Sequence, residues 1–221
     1  MADHTEDALI REVNDDLREE QMMKLWQRYG GYVVGVAVVI VAIVAGYQGW
    51  KHYDVSTRSS EGERFQTASQ LAQQGNEQDA LTAMRALADD ASSGYGVLAR
   101  MQEAALLTKQ GDAAKAAALY QQIARDNLGN VALSGLANIL GILVEINAGG
   151  YDRKALEFRL STIAEEGHPY RHSARELQGI IALEAGDSEK ARTAFSQLAA
   201  DATAPQSLRD RAQSLIQRLG S

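Results

Sequence analysis

Cysteine is absent from the 221 residues, so no disulfide staples the chain and thiolate chemistry is excluded. Proline occurs only twice, and β-branched runs are scarce outside one stretch, while Ala, Leu, Gln and Glu are abundant after Lys51. That balance favours an all-helical domain. Positive charge is not in excess either. The net charge is −7, with four basic and eight acidic side chains in residues 1–28 and 18 basic and 21 acidic in residues 51–221. Neither part is a basic surface, which argues against nucleic acid as a partner, because that binding rests on Lys and Arg neutralising phosphates. The sequence also lacks a Gly-x-x-x-x-Gly-Lys-Ser/Thr loop, a Gly-x-Gly-x-x-Gly after a strand and a Gly-x-Ser-x-Gly elbow. The four histidines are His4, His52, His168 and His172. His168 and His172 have the spacing of two ligands on one helix face, but no H-E-x-x-H pattern accompanies them, and Pro169 puts His168 before the helix start. Both are expected at the surface. The acidic pairs Asp15/Asp16, Asp89/Asp90 and Glu165/Glu166 read as solvated helix ends. The expectation is a non-enzymatic protein with no catalytic residue, cofactor or metal.

What the chain does contain is one stretch without charge, Tyr29 to Trp50, reading YGGYVVGVAVVIVAIVAGYQGW. At helical rise its length is roughly 33 Å, enough to cross a hydrocarbon core of roughly 30 Å. Backbone amides find no water there, so a lone apolar span must be a helix. Trp26, Tyr29 and Tyr32 at one edge and Tyr47, Trp50 and Tyr53 at the other match interfacial aromatic belts. The span divides the chain into an acidic tail (1–28), a transmembrane helix (29–50), a linker (51–60) and a helical domain (61–221). In the tail, Leu9, Ile10, Val13 and Leu17 recur at helical spacing, which predicts a partly amphipathic helix. The acidic leader, the long apolar run and the missing Ala-x-Ala site argue against a cleavable signal peptide. Arg11, Arg18, Lys24 and Arg28 precede the span, and Lys51, Arg58 and Arg64 follow it. This small excess leans towards the tail inside and the domain outside. Gly31 and Gly35 form a Gly-x-x-x-Gly on which two spans could pack as a homodimer.

After the span a repeat becomes visible when glycines are used as punctuation. Gly-x-x-x-x-Ala pairs occur at Gly75/Ala80, Gly111/Ala116, Gly150/Ala155 and Gly186/Ala191, with the alanines 36, 39 and 36 residues apart. Glycine ends one helix by taking positive φ, and Asn76, Asp112 or Asp187 caps the next. The alanine lets that helix lie close to its partner. Met84, Tyr120 or Phe195, then Leu87, Ile123 or Leu198, fill the space between repeats. In the third unit Arg159 stands where a large aromatic is expected, and Leu160 and Ile163 take over. Helix–turn–helix grammar at this period resembles a tetratricopeptide-type α-solenoid. The expected fold is all-α, with about four helix pairs over roughly residues 60–203. A capping helix after Pro205 carries Leu208, Ala212, Leu215 and Leu219 on one face.

The segment VALSGLANILGILVEIN (131–147) is the most apolar part of the domain. It reads as a buried middle helix, as a second span, or as part of a binding surface. By analogy with tetratricopeptide domains, first helices line the concave side. That places Leu98 and Met101, Leu140 and Val144, and Ile180 and Leu183 along one candidate peptide groove.

The order of parts, with the tail motif EVNDDLREEQ and the terminal block from HPYRHSARELQ to LRDRAQSLIQRL, is similar over nearly the whole chain to the bacterial ancillary Sec-translocon subunit family, the YfgM-like proteins. The resemblance implies a single-pass inner-membrane protein with a cytoplasmic N-terminus and a periplasmic solenoid. It also implies association with the SecYEG translocon, with a membrane-anchored periplasmic chaperone and with unfolded secretory chains. The alternative function is a membrane-anchored scaffold that coordinates cell-envelope assembly or division.

Overall fold

The computed structural model describes residues 3–220, with side chains described at Met23, Trp26, Arg28, Tyr29, Tyr32 and Val36 and continuously from Val38. Among these residues the secondary structure is helical, in nine segments: α1 (Asp3–Gln73), α2 (Glu77–Asp90), α3 (Gly94–Lys109), α4 (Ala113–Asp126), α5 (Val131–Ala148), α6 (Arg153–Ile163), α7 (Arg171–Glu184), α8 (Ser188–Ala200) and α9 (Gln206–Leu219). The chain divides into two compact units, residues 1–58 and 59–221.

The first unit is the N-terminal part of α1. The apolar stripe expected at Leu9, Ile10, Val13 and Leu17 lies outside the described side chains. From Val36 to Tyr53 the described large apolar side chains are exposed, Trp50 at 77 % and Val41 at 67 %. Residues 51–60, expected as a linker, are helical. The physical reason is local. KHYDVSTRSS holds neither glycine nor proline, Arg58 Nε donates to Asp54 Oδ1 at 3.1 Å one turn away, and Ser56 bonds the Tyr53 carbonyl at 2.9 Å.

The second unit begins with the C-terminal part of α1, which supplies the first helix of the first pair. The pairs are then α1/α2, α3/α4, α5/α6 and α7/α8, with α9 last. Gly75, Gly111 and Gly186 sit at φ 85°, 84° and 78°, where an L side chain is strained, and each is followed at once by the cap of the next helix. Asp112 and Asp187 accept the backbone amides of Lys115 and Lys190. Ala80, Ala116 and Ala191 are fully buried, as are Met84, Leu87, Ile123, Phe195 and Leu198. Each large side chain hidden in this way stabilises the fold by about 1.5–3 kcal/mol.

The third pair departs from this register. Ala155, expected to be the close-packing alanine, is exposed, and Leu156, Leu160 and Ile163 are the buried set. Tyr151 is an extra residue between Gly150 and the cap Asp152, so counting from glycine is one residue short. Asp152 accepts the amides of Lys154 at 2.9 Å and Ala155 at 3.2 Å, and from it the buried positions keep the spacing of the other repeats. Tyr151 is tied down by donating its hydroxyl to Glu184 on α7. Arg159, one position before Leu160, turns to Glu145 on α5 at 2.6 Å, where Gln121 of α4 also donates at 3.0 Å.

Among the described residues, α5 is long and apolar enough to cross a membrane. Here it is the middle helix of the domain. Its Val144 joins a cluster built from α2, α3 and α4, while Ile139, Ile142 and Ile146 join one built with α6 and α7. A third cluster holds α7, α8 and α9 around Phe195. Leu208 and Ala212 of α9 are buried in the domain, with Leu215 and Leu219 packed against that third cluster.

Candidate functional site

First helices stand side by side in a solenoid because each pair stacks on the next in the same orientation. Here α5 contacts α7, and α7 contacts α9. The three enclose a groove of about 520 Å³. Its floor is apolar: Ile139 and Leu143 from α5, Leu177 and Ile180 from α7, and Leu215 from α9. Ile139 and Leu177 are nearly buried, so the floor is the outer skin of the core, while Leu143, Ile180 and Leu215 are half-buried. The rim is polar. Arg211 of α9 holds Glu176 of α7 with two parallel bonds, Nε to Oε1 at 2.8 Å and Nη2 to Oε2 at 2.9 Å. This bidentate pair bridges the two walls and pushes the Arg211 guanidinium further towards its charged form. Arg218 lies a further two turns along the same edge of α9.

The six residues expected to form one groove do not line one surface. Ile180 is the member that also lines the α5–α7–α9 groove. Leu183 packs on the Phe195 cluster. Val144 is buried in the α2–α4 cluster, with Met101 and Leu140 packed partly buried against it. Leu98 is 48 % exposed, outside these clusters. On α5 the groove positions are Ile139 and Leu143, each one residue before the expected Leu140 and Val144. That is a rotation of about 100° per residue on a helix. The wall contributed by α9 was missed because that helix reads from sequence as a cap. Its Leu215 carried the usable signal, an apolar residue on the expected packing face that is left half-buried.

The two histidines are separated by their partners. Nδ1 of His168 accepts the Tyr170 amide at 3.1 Å, and its ring lies over Gly135, where a Cβ would come within 2.6 Å of Cε1. His172, expected at the surface, is buried at 6 % exposure beside Asp201 and Thr203. It lies in the first turn of α7, on the side that meets the α8–α9 loop. Burial holds both imidazoles below the usual range for proton binding. Among the described residues no group of three or more His, Asp or Glu side chains is placed to hold a metal ion. Asp90 forms an ion pair with Arg64 at 3.0 Å at the open end of α2.

Stacked helix pairs, a terminal helix that covers the last pair and a half-open apolar groove between first helices define an α-solenoid of the protein-interaction class. The model of the tetratricopeptide repeat-like domain family matches residues 23–220, and the chain belongs to that family. No curated protein and no solved structure matches the chain at a significant level.

Proposed function

We propose that this protein is a membrane-anchored, non-enzymatic binding module that holds apolar segments of unfolded chains in the α5–α7–α9 groove. The observation that carries the reading is the groove itself, an apolar floor with a charged rim in a fold that works through protein contacts. The anchor rests on the uncharged stretch 29–50, whose described large side chains are apolar and exposed. Its helix would cross the bilayer with residues 1–28 in the cytoplasm and the solenoid in the periplasm of a bacterial inner membrane. Similarity to the ancillary Sec-translocon subunits supports a place beside SecYEG and a membrane-anchored periplasmic chaperone, where emerging secretory chains are captured. Confinement to the membrane raises the local concentration of the groove, so weak individual contacts suffice. Gly31 and Gly35, with nothing packed on them in the single chain, supply the face on which two spans would meet.

The test places a photo-crosslinking residue at Leu143 in the full chain in intact membranes. Trapping of translocon subunits and unfolded secretory chains is the expected result. Trapping of folded envelope proteins alone would replace the reading with that of a scaffold. Ile180→Asp together with Leu215→Asp, both at half-buried positions of the floor, should abolish the crosslinks to unfolded chains while far-ultraviolet circular dichroism stays unchanged.

A further inference from the structure

His172 faces a small polar cluster that joins α7 to the α8–α9 loop. Its Nε2 lies 3.4 Å from the Thr203 hydroxyl oxygen, and its Nδ1 lies 3.4 Å from Oδ2 of Asp201 with no hydrogen bond made. The neighbours are already committed. Asp201 Oδ1 accepts the Thr203 amide at 2.9 Å and the Thr203 hydroxyl at 2.5 Å, while Oδ2 accepts from Arg175 at 3.4 Å. Arg171 donates to the Thr203 hydroxyl oxygen at 2.9 Å. From α9, Arg209 donates to the carbonyls of Ala202 and Ala204 in the same loop. In the turn before α7, Glu165, Glu166, His168 and Tyr170 are the titratable neighbours in sequence.

These bonds favour one tautomer. The Thr203 hydroxyl spends its one proton on Asp201, so towards His172 it can only accept, which puts the imidazole proton on Nε2. Nδ1 is then a bare lone pair in a buried site. A second proton would have to go there. It would make His172 a third cation beside Arg171 and Arg175, sharing with Arg175 the Oδ2 atom of the one carboxylate present.

We propose that His172 is a proton-operated release for α9: with the imidazole neutral the α7–α9 junction stays closed, and with the imidazolium formed the loop and α9 loosen from α7. Because α9 supplies the Arg211 and Leu215 wall of the groove, acid would open the binding surface; this part rests on the proposed function. The sign agrees with the surroundings. Burial first, then Arg171 and Arg175, hold His172 below the ordinary imidazole range against the opposing pull of Asp201. A base disfavoured as a cation in the fold contributes stability above its unfolded value, about 6.5, and that stability drains away as pH falls towards the folded value.

The experiment is amide hydrogen exchange, read by mass spectrometry on the full chain in nanodiscs at pH 7.5 and 5.5, with exchange times scaled for the intrinsic rate. The expected result is a loss of protection of at least about threefold in residues 201–219 at the lower pH, with α2–α4 unchanged. In His172→Gln, which cannot titrate, residues 201–219 should be equally protected at both values. In Asp201→Asn, which removes the one anion stabilising the imidazolium, the loss at pH 5.5 should exceed that of the wild type. Equal protection of wild-type α9 at the two pH values overturns the proposal, as does a pH-dependent loss that persists in His172→Gln. Exchange is read without any bound peptide, so a failed release and a failed groove give separate results.

Discussion

Gly179 shows how closely the first and second helices of a pair meet. A methyl group there would lie 2.5 Å from Cε1 of Phe195, a ring that is fully buried and has nowhere to retreat. Helix propensity alone favours alanine over glycine by about 1 kcal/mol, whereas overpacking a filled core costs about 1–3 kcal/mol. Gly179→Ala is therefore expected to lower stability in urea unfolding of the full chain, and a stabilised variant would mean that the close approach is not real. Glu61 is a second residue-scale case. It is 5 % exposed and accepts the Ser92 amide at 2.9 Å and the Ser93 hydroxyl at the entrance to α3. The Ser93 bond, with those from Ser92, holds the carboxyl below its ordinary range despite burial. The contribution is present above the unfolded value and lost as pH falls through the folded one. Melting temperatures between about pH 5 and 3 should fall less steeply in Glu61→Gln than in the wild type.

At the scale of elements, most of the fold was legible because its punctuation is local. Glycine with positive φ, an Asx cap and a buried small residue follow one another within a few positions in three of the four repeats. The third repeat was misread by one residue, since nothing in the sequence marks Tyr151 as additional until its hydroxyl is seen on Glu184. The consequence can be checked directly. Ala155→Glu should change stability by no more than about 0.5 kcal/mol, as at other exposed sites. Leu156→Glu buries an unpaired charge and should unfold the third pair, seen as lost protection of α6 in hydrogen exchange. The groove was less legible than the helices. Which stripe of α5 faces it depends on how α5 is rotated between α4 and α7, and α5 is apolar almost all round, so its own sequence offers no face to choose. Gly141 helps set that rotation, since a Cβ there would lie 3.1 Å from Cβ of Tyr120 on α4. Histidine burial was equally hidden. His172 is covered by a loop some thirty residues further on, a contact that no local pattern announces.

For the molecule as a whole, stability is a sum of pair and interface contributions, because each pair touches only its neighbours. A chain ending at residue 203 should keep the helicity of α2–α7 yet expose the side of the Phe195 cluster that α9 covers, together with the groove floor. Increased binding of a hydrophobic dye and self-association in light scattering are the expected outcomes. Topology is tested at the same scale. Protease added outside the inner membrane should digest residues 51–221 and leave a tag on residue 1 protected, and the reverse pattern would invert the proposed orientation.

The apolar interior is split into three clusters, joined through α5 and α7. Such a chain has no single keystone. Held at residue 61 and drawn from residue 220, it should surrender length in separate steps: first the α9 end, then the α6–α7 section, then the α2–α4 section. An extending polypeptide that pulls on the groove would meet a graded, spring-like resistance with α9 as the first link to give.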